Sequence, residues 1–293
     1  MNFQERVSYY LGTELYNIRE KIIINDNNKL IINNIKKEDY DNNLWNLYVS
    51  PLINLITSCN KKDLYFLAEY GDIQNAVDKY KFVKNRSGNI NKGIILKCMN
   101  QDRHWSNFYQ IIDNIHYDNK IDKIFWRGTT TGSINRPGNR FLLVTKYFNK
   151  NENFDIGFNS VCQNKSEYNK YVKNNVDIKT FLQYKYIISV EGNDKDSGLN
   201  WKLNSYSIIL MPKPTKFSWL MEDKLIPWYH YIPLNDNFDD LEEKLEWCRK
   251  NENKCKIIIY NANNYMKQFS DINNENEIEK EVINQYFNKI NFI

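Results

Sequence analysis

The sequence predicts an α/β protein of two halves that join near residue 120. Three observations carry this. From Ile121 onward, the short apolar runs KIFW, FDIGF, YKYIISV, SIILM and YHYIPL alternate with helical runs such as NRFLLVTKYF and LEEKLEWCRK. Short apolar strands separated by helices point to a parallel sheet covered on both faces. The length, 293 residues, suits one large domain or two of ordinary size. Hydrophobic residues at 42% and aromatics at 15% supply cores, and only 10 Gly and 6 Pro speak against a fibrous or low-complexity chain.

The elements follow in order. Phe3 to Lys21 carries apolar residues at helical spacing. KIIIN and KLIIN, joined by a polar Asp-Asn-Asn stretch, predict a hairpin or two short strands. DLYFLAEYGD (63–72) reads as a buried strand ending in a turn, and GIILKC (93–98) as a second. The second half then runs through the alternation above. Its helix DDLEEKLEWCRK starts at a cap, Asp239 or Asp240, and puts Leu241, Leu245 and Cys248 on one face, so it is packing rather than chemistry. The predicted divisions are residues 1–120, 121–270 and 271–293, the last a helix packing back on the first half.

Charge and targeting signals narrow the class. Forty basic and 36 acidic residues leave a net charge of +4, which attracts phosphate-bearing ligands without suggesting a protein that coats nucleic acid. The richness in Asn, Lys and Ile reads as codon bias of an AT-rich genome, and tracts such as NNENEIEKE as solvated helix faces. No run of about 18 apolar residues predicts a membrane span. The start, MNFQERVSYYLGTELYNIREK, lacks the basic–apolar–small order of a signal peptide. Cys59, Cys98, Cys162, Cys248 and Cys255 show no CxxC or Cys/His metal spacing and read as reduced thiols. The expectation is a cytoplasmic, metal-free protein.

The stretch KIFWRGTTTGS (123–133) is an apolar strand that gives way to an arginine, two glycines and four hydroxyl side chains. Such a strand end lies at the carboxyl edge of a parallel sheet, where α/β proteins place ligands. Gly128 and Gly132 let backbone approach closely; Thr129, Thr130, Thr131 and Ser133 offer hydroxyls; Arg127 offers a planar fork for phosphate oxygens. No GK[ST] follows, so it is not a Walker A loop. The bland alternative is a tight loop with a salt-bridged arginine.

Residues 184–211, YKYIISVEGNDKDSGLNWKLNSYSIILM, form a β-loop-α-β unit in which a strand ends at Glu191-Gly192 and a short helix begins near Gly198, Leu199 and Asn200. Ser197 occupies the expected N-cap, Gly198 allows close approach, and Lys202 adds positive charge one turn in. On its own, Ser197 simply capping a short helix explains the pattern as well. In TKFSWLMEDKLIPWYHYIPL (215–234), Glu222 is a carboxylate among bulky apolar residues, of the kind that accepts hydrogen bonds from a ribose. Trp219, Trp228 and Tyr229 read as core and wall, and His230 as a satisfied core histidine.

Taken together, YKFVKNR, DRHW, KIFWRGTTTG, DIGF, EGNDKDSGLNWKLNSYSIILMPKPT, SWLMED, KLIPWYHYIPL and FDDLEEKLEW resemble glycosyltransferase family 90, in order and spacing, from about residue 80 to 265. That family contains capsule-associated and lipopolysaccharide-modifying transferases and protein O-glucosyltransferases, and the resemblance is closer to the lipopolysaccharide and capsule branch. The protein-glucosylating members carry an arginine about where Asn200 stands here. The resemblance implies a GT-B fold, two Rossmann-like halves facing a cleft, with residues 1–120 on the acceptor side and 121–270 binding the nucleotide sugar, in first place a UDP-sugar. It also implies an inverting, metal-independent transfer to a glycan or lipid-linked glycan such as lipopolysaccharide or capsule, with no cofactor beyond the nucleotide-sugar co-substrate. The donor set it implies is Arg127, Gly128, Thr129, Thr130, Glu191, Gly192, Gly198, Leu199, Asn200, Lys202 and Glu222. Backbone of residues 185–190 would lie near the base.

An inverting transfer needs a general base. The resemblance implies Asp72, with Glu69 as its rival, while Arg86, Arg103 and His104 lie in matching motifs without an assigned role. The competing reading is a catalytically inactive relative that binds a glycan or partner protein. A nucleic-acid binder is disfavoured because acids and bases are interspersed along the chain. Basic surface patches leave room for peripheral membrane contact without an anchor.

Overall fold

The computed structural model describes residues 1–72, 78–88, 92–100 and 102–293, with the side chain of Arg103 outside the described set. The chain divides into two compact units. One comprises Met1–Trp105, Thr215–Met221 and Gln268–Ile293, and the other Ser106–Pro214 and Glu222–Lys267.

The second unit is organised on a five-stranded, all-parallel sheet. Its spatial order is Ile232–Pro233, Ile208–Met211, Tyr184–Ile188, Ile121–Thr129, Phe154–Ser160. Apolar side chains fill both faces, which is why these strands read as continuous apolar runs in the sequence. Ile124, Trp126, Ile156, Phe158, Tyr186 and Ile188 share a core with helix Arg140–Tyr147 and with the two helices Leu241–Lys250 and Glu252–Lys267. On the opposite face Phe125 stacks on Tyr184 and meets Phe181 edge-on, and Phe181 in turn meets Trp201. Asn139 caps the helix that follows the central strand, its side chain accepting the Leu142 N–H at 2.8 Å.

The strand order reverses beside the central strand. The chain leaves Ile121–Thr129 for Phe154–Ser160 on one side, and every later strand lies on the other. A topological switch point therefore falls between Ile121–Thr129 and Tyr184–Ile188, and the crevice at the carboxyl ends of such strands is the general ligand position of open parallel sheets. The central strand is longer than its sequence suggests. It runs through Arg127 and Gly128, opposite Gly157 and Phe158, and reaches Thr129 after a register shift. The neighbouring strand continues far enough to supply backbone partners, so Arg127 is a strand residue, not the first residue of a loop.

The first unit contains a three-stranded parallel sheet ordered Leu67–Ala68, Lys81–Val83, Ile94–Ile95, and an antiparallel pair of Asn85–Ser87 with Lys216–Ser218. Helix Phe3–Leu11 opens with a capping box between Asn2 and Glu5 and packs against helix Ile272–Lys289. Their contact is fixed by the buried Arg6–Glu275 pair, Nη2 to Oε2 at 2.7 Å, with the Arg6 guanidinium 4.7 Å from the centre of the Phe269 ring. Of the two arrangements expected from KIIIN and KLIIN, a hairpin or two short strands, the hairpin does not form. Ile22–Ile24 pairs in parallel with Ile290–Phe292 from the chain's other end, and Leu30 bridges Phe66 instead. Local pattern specifies a strand but not its partner.

Candidate functional site

The carboxyl edge at the switch point is built from two loops. One follows the central strand (130–138) and the other follows Tyr184–Ile188 (189–198). They touch without side chains between them: a Cβ on Gly132, whose φ is +96°, would lie 2.8 Å from the Gly192 carbonyl oxygen, and one on Gly192 would lie 2.6 Å from Thr131 Oγ1. Only glycine tolerates that approach and that backbone angle. The Gly132 N–H is accepted by Asn193 Oδ1 at 2.7 Å, and the Gly192 N–H by the Asp194 carbonyl at 2.8 Å.

Three cations hold these loops. Arg140 donates through Nε to the Glu191 carbonyl, through Nη2 to that of Val190 and through Nη1 to that of Thr129, each at 3.2 Å, and through Nη1 to Thr131 Oγ1 at 2.8 Å. A Cβ on Gly128 would stand 2.7 Å from the Trp126 ring, so Gly128 leaves room for that indole, while Arg140 Nη1 would sit in ordinary contact at 3.5 Å. Arg136 donates to the Gly192 carbonyl at 3.2 Å and pairs with Glu191. Lys165 donates to the carbonyls of Thr130 at 3.2 Å and Gly132 at 2.5 Å. None of the three was singled out from the sequence. The available signal was Arg140 in the first turn of its helix. A cation there opposes the helix dipole, so its helix gives no reason for it.

The residues singled out from the sequence do not all lie together. Gly128, Thr129, Glu191 and Gly192 lie at this edge, and the Thr129 hydroxyl donates to that of Thr131 at 3.3 Å. Thr130 is fully buried, and its hydroxyl donates to the Cys162 carbonyl at 2.9 Å and accepts the Cys162 N–H at 2.7 Å. Arg127 turns back along the opposite face of the sheet. It donates from Nη2 to Asp155 Oδ1 at 2.6 Å, and from Nη1 to the carbonyls of Asp155 and Trp126, both at 2.9 Å. Its guanidinium lies 4.7 Å from the centre of the Phe125 ring. Lys173 also reaches Asp155 Oδ1, at 2.9 Å. Burial pushes the Asp155 carboxyl up, but Lys173 and Arg127 together hold it below its ordinary value.

The short helix Leu199–Leu203 follows directly. Gly198, not Ser197, takes the N-cap position, and Asp196 Oδ1 accepts the Gly198 N–H at 2.9 Å, so an aspartate one residue earlier does the anchoring expected of the serine. The Leu199 N–H is accepted by the Asp196 carbonyl at 3.3 Å, and the buried Asn200 donates to the Ser197 carbonyl at 3.2 Å. Lys202 is buried and donates to Asp196 Oδ2 at 2.5 Å and to the Ile188 carbonyl at 3.2 Å. Burial lowers the Lys202 ammonium, whereas Asp196, despite its burial, is held low by Lys202, Ser189 and the Gly198 N–H. Glu222 is buried at the start of a 3₁₀ turn, 3.7 Å from the buried ammonium of Lys195, which ties it to the loop after Tyr184–Ile188.

Two aromatic expectations need correction. Trp219 is buried, but Trp228 and Tyr229 are 43% and 51% exposed. Trp228 adopts φ +63° in a turn closed by its N–H to the Tyr231 carbonyl at 2.7 Å, and its half-exposed ring meets Trp247 edge-on at 4.8 Å. His230 Nδ1 accepts the Ile226 N–H at 2.9 Å, and burial lowers its pKa, leaving a neutral structural imidazole.

In the first unit, Asp72 is 37% exposed and its Oδ1 accepts from the buried Lys84 ammonium at 2.6 Å. Glu69, the rival, pairs with Lys81 at 2.8 Å. Arg86 is buried and donates to the carbonyls of Tyr9, Tyr10 and Gly93 at 2.7–2.8 Å, a structural assignment. Among the described residues no group of three or more His, Cys, Asp and Glu side chains is placed to hold a metal, and no helix is long and apolar enough to cross a membrane.

Comparison with known proteins agrees with the motifs. The family model described as glycosyl transferase family 90 matches residues 99–291. O-glucosyltransferase LpsA of Dichelobacter nodosus is 31% identical over 207 residues, 70% of this chain and 61% of that protein. Protein O-glucosyltransferase 2 of Danio rerio is 28% identical over 145 residues, 48% of this chain and 28% of that protein. Uncharacterized protein 035R of Invertebrate iridescent virus 3 is 35% identical over 91 residues, 30% of this chain and 8% of that protein.

Proposed function

The chain belongs to glycosyl transferase family 90, and we propose that it is an inverting, metal-independent glycosyltransferase of GT-B type. In this reading it moves a sugar from a nucleotide sugar, in first place a UDP-sugar, to a glycan such as lipopolysaccharide or capsule. The observation that carries the reading is the junction of two loops at the switch point of a parallel sheet, the position at which such sheets bind nucleotides. The proposed donor subsite is the edge formed by Gly128–Ser133, Glu191–Gly192 and Gly198–Lys202, with Glu222 toward the ribose.

The departing diphosphate must be stabilised by preorganised donors and positive charge. Arg127 and Lys202 bring charge to the same unit, but Asp155 and Asp196 already hold them. A diphosphate would have to compete with those carboxylates, so the reading rests more on the loop edge than on either side chain. We assign the general base to Asp72, whose exposed carboxylate is oriented by the ion pair with Lys84. The names of the D. nodosus and D. rerio relatives are consistent with glucose as the transferred sugar.

The test is calorimetry and thermal shift against UDP, GDP and a panel of nucleotide sugars, with EDTA present. A ligand that binds only the folded state raises the melting temperature by mass action. One UDP-sugar hit with EDTA present is the expected result. A flat panel, with glycan binding retained, would replace the enzyme reading by that of a catalytically inactive glycan-binding relative.

A further inference from the structure

Lys165, Arg136 and Arg140 all donate to main-chain carbonyls of the two loops at the switch point. A trans peptide unit places its C=O and its N–H on opposite sides, so each carbonyl turned toward a cation turns the next residue's N–H away from it. Among the described residues no peptide bond is cis. Lys165 holds the carbonyls of Thr130 and Gly132, which sends the N–H groups of Thr131 and Ser133 away from the ammonium. Arg136 holds the Gly192 carbonyl, which sends the Asn193 N–H away from the guanidinium. These three N–H groups have no hydrogen-bond acceptor among the described residues. Thr131 and Asn193 sit on loops that meet at the Gly132–Gly192 contact.

We propose that Lys165, Arg136 and Arg140 are positioning residues that act through the backbone: they fix the two loops so that the N–H groups of Thr131, Ser133 and Asn193 form an anion cradle for the donor's diphosphate. This rests on the nucleotide-sugar reading above and names the part of the edge that takes the phosphates. Successive main-chain N–H groups arranged in a concavity bind phosphate without any side chain touching it. The three cations contribute a positive field behind that concavity, and Arg140 locks both loops at once because its four bonds reach Thr129, Thr131, Val190 and Glu191. Lys165 lies in none of the segments that suggested phosphate binding in the sequence, since its partners are carbonyl oxygens of residues distant along the chain.

The experiment compares UDP with UMP and uridine on wild type, Lys165→Gln and Arg140→Gln, by calorimetry. A cradle for the diphosphate predicts a tenfold or greater rise in the UDP dissociation constant in both variants, with uridine binding within about twofold of wild type. Equal losses for UDP and uridine would mean that the substitutions merely loosen the fold, and would overturn the inference while leaving the donor reading intact. Unchanged UDP affinity in both variants would overturn it in the same way. If wild type binds no nucleotide, the donor reading falls and the inference with it. Amide exchange keeps the test open should one variant fold poorly: UDP is expected to slow exchange at Thr131, Ser133 and Asn193 in wild type, and exchange unaltered at all three contradicts the proposal.

Discussion

Replacing Arg127 by alanine separates its role as a strut of the sheet from the donor contact expected of it. The substitution removes three hydrogen bonds, at 2.6 Å to Asp155 Oδ1 and 2.9 Å to the carbonyls of Asp155 and Trp126. A hydrogen bond to a charged group contributes about 1.5–3 kcal/mol net. Asp155 keeps Lys173 at 2.9 Å, so its carboxylate is not left bare. The Arg127 side chain is only 6% exposed, so solvent screening is modest on its side, whereas Asp155 is 27% exposed and carries more of the discount. The expected destabilisation is about 2–3 kcal/mol, a fall in melting temperature of roughly 4–12 °C for a unit of this size. Urea titrations of Arg127→Ala, Asp155→Asn and the double variant complete the cycle, with a coupling of about 1–2 kcal/mol expected. A coupling below about 0.5 kcal/mol would refute the strut. The same variants report on the donor: if Arg127 also meets the diphosphate, Arg127→Ala weakens UDP binding by a further factor of roughly 10–150. Unchanged UDP affinity leaves Arg127 as a strut alone.

Two more outcomes follow. Asp72→Asn is expected to leave donor binding intact and cut turnover by about 10²–10⁴; normal turnover in that variant transfers the role to Glu69 or elsewhere. Asp155 and Asp196 both have folded-state pKa values held below the ordinary value, against the opposing effect of burial. Their stabilisation is therefore fully present above the unfolded carboxylate value of about 3.9 and is lost as pH falls through the lower folded values. Urea midpoints of wild type are expected to fall steeply below about pH 4, and those of Asp155→Asn less steeply; parallel curves would show that the Asp155 network contributes nothing to acid stability.

The second unit was the more legible part of the sequence because a strand buried on both faces leaves one signature. Ile187, Ile188 and Ile208–Met211 are apolar without alternation for that reason. Partners across the chain leave no such mark. Ile22–Ile24 reads as a strand, yet nothing nearby announces Ile290–Phe292 as its mate. The loop after the central strand shows the same limit at the site. Its glycines and hydroxyls are visible, but the sequence does not say that Thr130 is consumed by the Cys162 backbone or that Arg127 faces Asp155. Arg136, Arg140 and Lys165 leave little mark in the sequence because most of their acceptors are main-chain carbonyls, present at every residue and specific at none.

The measurement that bears most directly on the account is a crystal structure of the chain with UDP. The account predicts the diphosphate at the carboxyl ends of Ile121–Thr129 and Tyr184–Ile188, within hydrogen-bonding distance of the N–H groups of Thr131, Ser133 and Asn193. UDP bound away from that edge, with the Gly132–Gly192 junction bare of phosphate, would contradict it.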